Sequence, residues 1–275
     1  MSHAELKQSD EVLSINFWNG NKSSARQNFE TELLQAVLTV TEEQYGLCRL
    51  DIDNTDYPSA EDEGNIFDNG ADILVTVAGN LKFFDKPKIM ISQPLTKGLL
   101  GYRLLMVSDK NLSKFKNLST AKALQSLSIG VPETWADAGL FRENRYNVVE
   151  KGSFDTLFEL LKKGAFDYTA LGANEIEAEF ENRAKPVGDI SIEPSILLYY
   201  PFPLVFYVNA KNVSFAKRVE QGLAAIIASG QYGLLFEKHH GDIVARLNLK
   251  ERKIFTLDNP ILPENMKDFR ATLLD

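Results

Sequence analysis

The chain is poor in the residues that build disulfides and metal sites. It has one cysteine and three histidines in 275 residues. A lone Cys48 excludes a disulfide within the chain and a multi-cysteine metal site. It falls in a strand candidate and reads as a small core residue. His239 and His240 are neighbours in sequence, so their side chains diverge, and Glu237 and Asp242 complete no ligand spacing. Asp51, Asp53 and Asp56 lack the glycine and closing glutamate of a calcium loop. No apolar run approaches the roughly 18 residues of a membrane span. The opening residues MSHAELKQSD lack the apolar core of a leader. Basic runs are missing too, and the net charge is -8. A nucleic-acid or anionic-membrane partner is therefore not expected. There is no P-loop, no G-x-G-x-x-G after a strand and no G-x-S-x-G. No cofactor and no metal are expected.

What is present is ordinary globular composition, 44% hydrophobic and 25% charged. A chain of this length holds one large domain or two smaller ones. The pattern favours two. Residues 12–17 read as a strand, followed by a helix from Ala25 to Thr41 with Phe29, Leu33, Leu34, Val37 and Leu38 on one face. A strand at Leu47 to Ile52, a polar helix at Ser59 to Phe67 and a strand at Ile73 to Val77 complete a βαβαβ alternation. The stretch from Ser126 to Phe180 repeats the plan without repeating the sequence. Its strands are Leu127 to Val131, Tyr146 to Val149 and Tyr168 to Leu171. Its helices open at Trp135 and at Phe154.

Later elements are a strand at Ile192 to Tyr200 broken by Pro194, a strand at Leu204 to Val208, and a helix at Ser214 to Ser229 capped by Ser214. The tail from Arg252 is expected to wrap over the surface. Such alternation implies parallel strands flanked by helices, with ligands beyond the carboxyl ends of the strands.

Several residues fall at those ends, and each has a bland reading beside the functional one. Thr134 is an N-cap candidate whose helix start suits an anionic or carbonyl group, or it caps and does no more. Trp135 faces either the cleft or a lobe interior. Gly79 and Asn80 let backbone approach a ligand, or make a tight turn. Gly172 and Asn174 hold the same place in the second half, with Asn174 also a helix-cap candidate. Arg103 pairs with a ligand carboxylate or forms an ordinary salt bridge. Tyr199 and Tyr200 are placed at a crossover, as hinge or rim.

The segments SIGVPETWADA, FDTLFELLKKGAFDYTALGANEIEAEF, LLYYPFPLVFYVNAKN and AKRVEQGLAAIIASGQYGLLFEKHH, in that order, resemble the bacterial periplasmic solute-binding proteins of the amino-acid-binding type. The resemblance covers residues 10 to 240. It implies a two-lobed α/β chain of the type 2 periplasmic-binding fold, with two mixed sheets flanked by helices and a ligand cleft between the lobes. The lobes implied are 1–104 with 204–275, and 105–203, with crossovers near 94–107 and 195–208. The resemblance also puts Trp18 where an aromatic lies over the ligand, although a core tryptophan fits the sequence equally.

The family hallmarks of α-amino-acid recognition are altered. NLKFFDKPKIM carries no arginine for a ligand carboxylate, and Gly172 stands where an aspartate receives the ligand ammonium. The implied role is an extracytoplasmic receptor, not an enzyme. It would capture a small polar solute (an amino-acid derivative, an amine or an organic acid) by closing its lobes, and deliver it to an ABC-type permease or a sensor. The implied form is a monomer in the periplasm whose export signal has been removed. The alternative on the same fold is a dehydratase acting on cyclic carboxylic acids, with Glu133 or Glu175 as the acid or base.

Overall fold

The computed structural model describes residues 12–274 apart from Pro58 and Thr134. The opening MSHAELKQSD lies outside the described residues. In chain order the strands are β1 (Leu13–Trp18), β2 (Cys48–Asp53), β3 (Ile73–Val77), β4 (Lys88–Ile91), β5 (Tyr102–Ser108), β6 (Ser128–Val131), β7 (Asn147–Glu150), β8 (Tyr168–Gly172), β9 (Ile190–Tyr199), β10 (Leu204–Asn209) and β11 (Lys253–Thr256). They make two sheets. The first has the order β2-β1-β3-β10-β4 and the second β11-β9-β5-β8-β6-β7. In the first, β1 runs parallel to β2 and β3, and β10 runs antiparallel to β3 and β4. In the second, β6 is parallel to β7 and β8, while β5 is antiparallel to β8 and β9. Both sheets are therefore mixed.

Composition explains which strands are central. Every residue of β3, β5 and β8 is buried. Strands covered on both faces lose the polar alternation and read as apolar runs. The edge strand β2 instead carries Arg49, Asp51 and Asp53, charges that discourage pairing with another chain. The first long helix spans Ser24–Val40, and Ser23 Oγ accepts from the Arg26 N–H at its start. It buries Phe29, Leu33, Leu34, Val37 and Leu38, the face the sequence marks. The helix Val213–Ala228 packs on it through buried Arg218. That guanidinium donates to Thr41 Oγ1 at 2.9 Å and to Leu38 O and Gly46 O at 3.0 Å. It ties the last turn of the first helix to the turn at Gly46.

Three expectations need correction. The first lobe was expected to own all of 204–275, but β11 pairs in parallel with β9 in the second sheet. The chain passes between sheets after β4, after β9 and again after β10. It then returns, because Met266 packs with Trp18, Ile66 and Phe67 of the first sheet. Gly79 marks that return. At φ +80° it lies so close to Ile261 O that an added Cβ would sit 1.7 Å from it. Pro194 does not break β9. It breaks the pairing with β5, whose register shifts between Leu104 and Met106 while the Glu193 carboxylate takes the Ser195 and Ile196 N–H groups. The helix expected to be capped by Ser214 starts one residue earlier, at Val213, with Asn212 in the cap position.

His240 ends the helix Gln231–His240, packed between Phe29 and Phe236 with ring centroids 4.9 and 5.2 Å away. A helix C-terminus favours a cation by about 1 kcal/mol. Burial wins, helped by the neighbouring His239 and Arg246, and pushes the imidazole down to about 4 from 6.5. Above pH 6.5 the ring is neutral whether folded or unfolded. As pH falls from 6.5 towards 4 only the unfolded chain takes the proton, so stability is lost across that window, up to about 3 kcal/mol. His240→Phe is expected to flatten the fall in urea midpoint between pH 7 and pH 4.5. An unchanged slope would assign the acid sensitivity to other groups.

Candidate functional site

The carboxyl ends of β1 and β3 in one sheet, and of β6, β7 and β8 in the other, meet at a cleft of about 460 Å³. Its lining comes from both halves of the chain. The first wall is built around the turn that follows β1. Asn21, at φ +54°, holds that turn by accepting from the Tyr57 N–H and donating from its own N–H to Asp56 Oδ1 at 2.6 Å. Lys22 Nζ donates to Glu30 Oε2 at 2.8 Å and to Val75 O at 3.2 Å. Arg26 Nε donates to the other Glu30 oxygen at 2.9 Å. Burial pushes the Lys22 ammonium below its ordinary range, and Glu30 offsets only part of that. Lys82 Nζ donates to Glu63 Oε2 at 2.7 Å, where Asn21 Nδ2 also donates.

The second wall is organised by Arg103, on the first strand after the chain enters this sheet. Its Nη2 donates to Asp137 Oδ1 at 2.6 Å, and its Nη1 lies 3.4 Å from Glu175 Oε1. The Tyr200 hydroxyl donates to the same Asp137 oxygen. The guanidinium also lies over the rings of Tyr200 and Phe202, at 5.5 and 5.3 Å. Burial alone would lower its pKa, but Asp137, Tyr200 and Glu175 outweigh it, and the group stays charged. Glu175 is held by the Gly172 N–H as well. Towards the rim, Arg183 pairs with Asp155 and covers the Phe154 ring at 4.7 Å. Phe154 in turn stacks on Trp135 with centroids 5.2 Å apart.

Of the residues expected at the site, Trp18, Asn80, Arg103 and Trp135 line the cleft. Trp18 is almost fully enclosed, with 2% exposure, and its Nε1 donates to Thr55 O. Asn80 spends its side chain on Thr76 Oγ1 and the Lys82 N–H. Trp135 is half-buried and presents the more open ring. Gly79, Gly172 and Asn174 are outside the lining. Gly79 packs under the tail, Gly172 packs against Leu100, and Asn174 is buried. Thr134 lies outside the described residues. The helix expected to open at Trp135 opens at Asp137 instead, with seven residues.

The sequence reading missed Lys22, Arg26, Glu63, Asp137 and Arg183. Asp137 had a signal, since an acid beginning a helix after a strand end is well placed to face a cleft.

Breaking the Arg103 cluster has a defined cost. Asp137→Ala leaves a buried guanidinium with only the longer Glu175 contact. It is expected to lower stability by about 3 kcal/mol, read from the urea midpoint. Loss of less than about 1 kcal/mol would show that Arg103 is solvated where the structure has it enclosed.

No protein-family model matches the chain, and no curated protein matches it. Solved structures do. A periplasmic binding protein of Salmonella typhimurium with high arginine specificity is 15% identical, covers 82% of this chain and 99% of its own, and has a TM-score of 0.57. A histidine kinase sensor domain with similarity to periplasmic binding proteins is 12% identical over 84% of this chain and 96% of its own, with a TM-score of 0.58. The GluR0 ligand-binding core of Nostoc punctiforme, in complex with L-glutamate, is 17% identical over 82% and 98%, with a TM-score of 0.53. At such identities the likeness is one of fold. With its two mixed sheets flanked by helices and a cleft between them, the chain has the two-lobed type 2 periplasmic-binding-protein fold.

Proposed function

We propose that the chain is an extracytoplasmic solute receptor. It captures a small polar molecule in the cleft by closing its lobes, and hands it to an ABC-type permease or a sensor protein. The observation that carries this reading is the cleft itself, lined from both halves by charged and aromatic side chains. A molecule that touches both walls stabilises the closed arrangement by contacts the open one lacks. In this reading the first sheet with its helices is one lobe and the second sheet is the other. The segments around 98–102 and 200–204 act as the hinge, and the protein works as a monomer in the periplasm. Both partner types have a structural counterpart, since the similar structures include the substrate-binding protein of an amino-acid ABC transporter and a kinase sensor domain. Trp135 supplies the aromatic contact with ligand, while Trp18, Asn80 and Arg103 shape the walls. Glu175, a side chain an enzyme could use, is occupied by Arg103 and the Gly172 N–H.

A thermal-shift screen of amines, amino acids, organic acids, short peptides and sugars tests the proposal. A ligand at a hundred times its Kd adds about 2.7 kcal/mol of stability, and the bound compound should be recovered chemically unchanged. Trp135→Ala is expected to weaken binding about tenfold, or about 1.4 kcal/mol, while lowering the unliganded melting temperature less than loss of the enclosed Trp18 does. Trp18→Ala is expected instead to destabilise the unliganded protein by about 3 kcal/mol or more, because it empties a buried site. Failure of every compound in the panel to shift the melt, or full affinity in Trp135→Ala, would count against the reading.

A further inference from the structure

The charges of the cleft are not free in equal measure. Five cationic side chains line it: Lys22, Arg26, Lys82, Arg103 and Arg183. Each is already ion-paired within its own wall. An incoming carboxylate would have to displace a protein carboxylate from a guanidinium or ammonium. At Arg103 and Lys22 it would do so where both partners are almost wholly enclosed. Exchanging one buried pair for another gains little and exposes the displaced acid to the cost of an unpaired buried charge.

The acids are in a different position. Asp56 on the first wall and Glu133 on the second line the cleft, are exposed, and have no cationic partner among the described residues. Asp56 precedes the half-buried Tyr57, whose ring lies 6.0 Å from that of Trp18. Glu133 is two residues from the half-buried Trp135 and its partner Phe154. A carboxylate beside an open aromatic ring favours a cation, through charge and through the face of the ring. The lining also includes the buried apolar residues Val75, Val77, Leu100 and Phe202, a wall that a methylene chain can lie against.

We infer that the cleft takes an organic dication without a carboxylate, a diamine or guanidino-amine, with one cationic group held at Asp56 and Tyr57 and the other at Glu133 and Trp135. The inference rests on the receptor reading and names the class of solute. It gives closure a cause, because each end of the molecule satisfies a charge that its own wall leaves open. Both carboxylates are exposed, so the affinity falls as salt is added.

The test is calorimetric titration of the full chain with putrescine, agmatine and spermidine, beside L-arginine, L-glutamate and sulfate at matched ionic strength. At least one of the three amines is expected to bind more tightly than L-arginine, and L-glutamate and sulfate are expected not to bind. Asp56→Asn and Glu133→Gln should each weaken the amine about tenfold. Glu133 is exposed, and an amide at position 56 keeps an oxygen to accept the Asn21 N–H, so the unliganded melting temperature should change little in either variant. Binding of L-glutamate or L-arginine in preference to the amines would overturn the inference and leave the receptor reading standing. Amine binding untouched by both substitutions would overturn it as well. If no compound of these or of the wider screen bound, the receptor reading would fall and the inference with it.

Discussion

The guanidinium of Arg103, fixed between Asp137 and Glu175, is the constraint on which the second half of the cleft depends. It sits on β5, immediately after the chain enters the second sheet, and it lies against Tyr200 and Phe202 where the chain leaves that sheet. One buried charge therefore ties two of the crossing segments, those after β4 and after β9, to the wall that carries Trp135 and Glu133. Desolvating an ion pair is expensive, so such a group depends on its partners; Arg103 uses Nη1 and Nη2 for them, while its Nε has no hydrogen-bond partner among the described residues. Here Asp137 is itself held by the Tyr200 hydroxyl, and Glu175 by the Gly172 N–H. The consequence is chemical as well as structural. The most enclosed cation of the second wall is committed to the protein.

The first wall follows the same logic with other residues. Lys22 and Arg26 share Glu30, whose side chain is 1% exposed. Each wall thus neutralises its own interior charges, which leaves little electrostatic reason for the empty lobes to attract one another. In the proposed receptor, a ligand that meets both walls would decide the closed state, as population shift requires. The tail sets the mechanical limits. After β11 it leaves the second sheet, passes Gly79, and packs Met266 into the first, while the Ala271 N–H reaches the Tyr199 hydroxyl. Any rotation of one lobe against the other would have to accommodate this strap in addition to the passages after β4, β9 and β10.

Much of the fold was legible because it rests on local periodicity. The helices at 24–40 and 213–228 and the strands β3, β6 and β8 fall within a residue or two of where apolar spacing puts them. The destination of β11 was not legible. KIFT is a four-residue strand, and no local pattern says which of two sheets will pair it. The site divided on the same line. Trp135 and Arg103 follow from their positions at a strand end and at a crossover. Arg26 was missed because Arg26 and Glu30, four apart on a helix, have the spacing of an ion pair on a solvated face. Only the tertiary structure shows Arg26 at the cleft beside Lys22, whose ammonium reaches Val75 O of β3. Gly79 and Gly172 were misread for a related reason. A glycine at a strand end marks close approach of something, and here that something is the tail in one case and Leu100 in the other.

The most direct test of the account is whether the lobes move together on a bound molecule. Small-angle X-ray scattering of the protein, freed of any co-purified ligand and then saturated with a compound that raises its melting temperature, measures this. The account predicts a smaller radius of gyration in the liganded protein. An unchanged scattering profile at saturation would contradict it and make the cleft a rigid pocket.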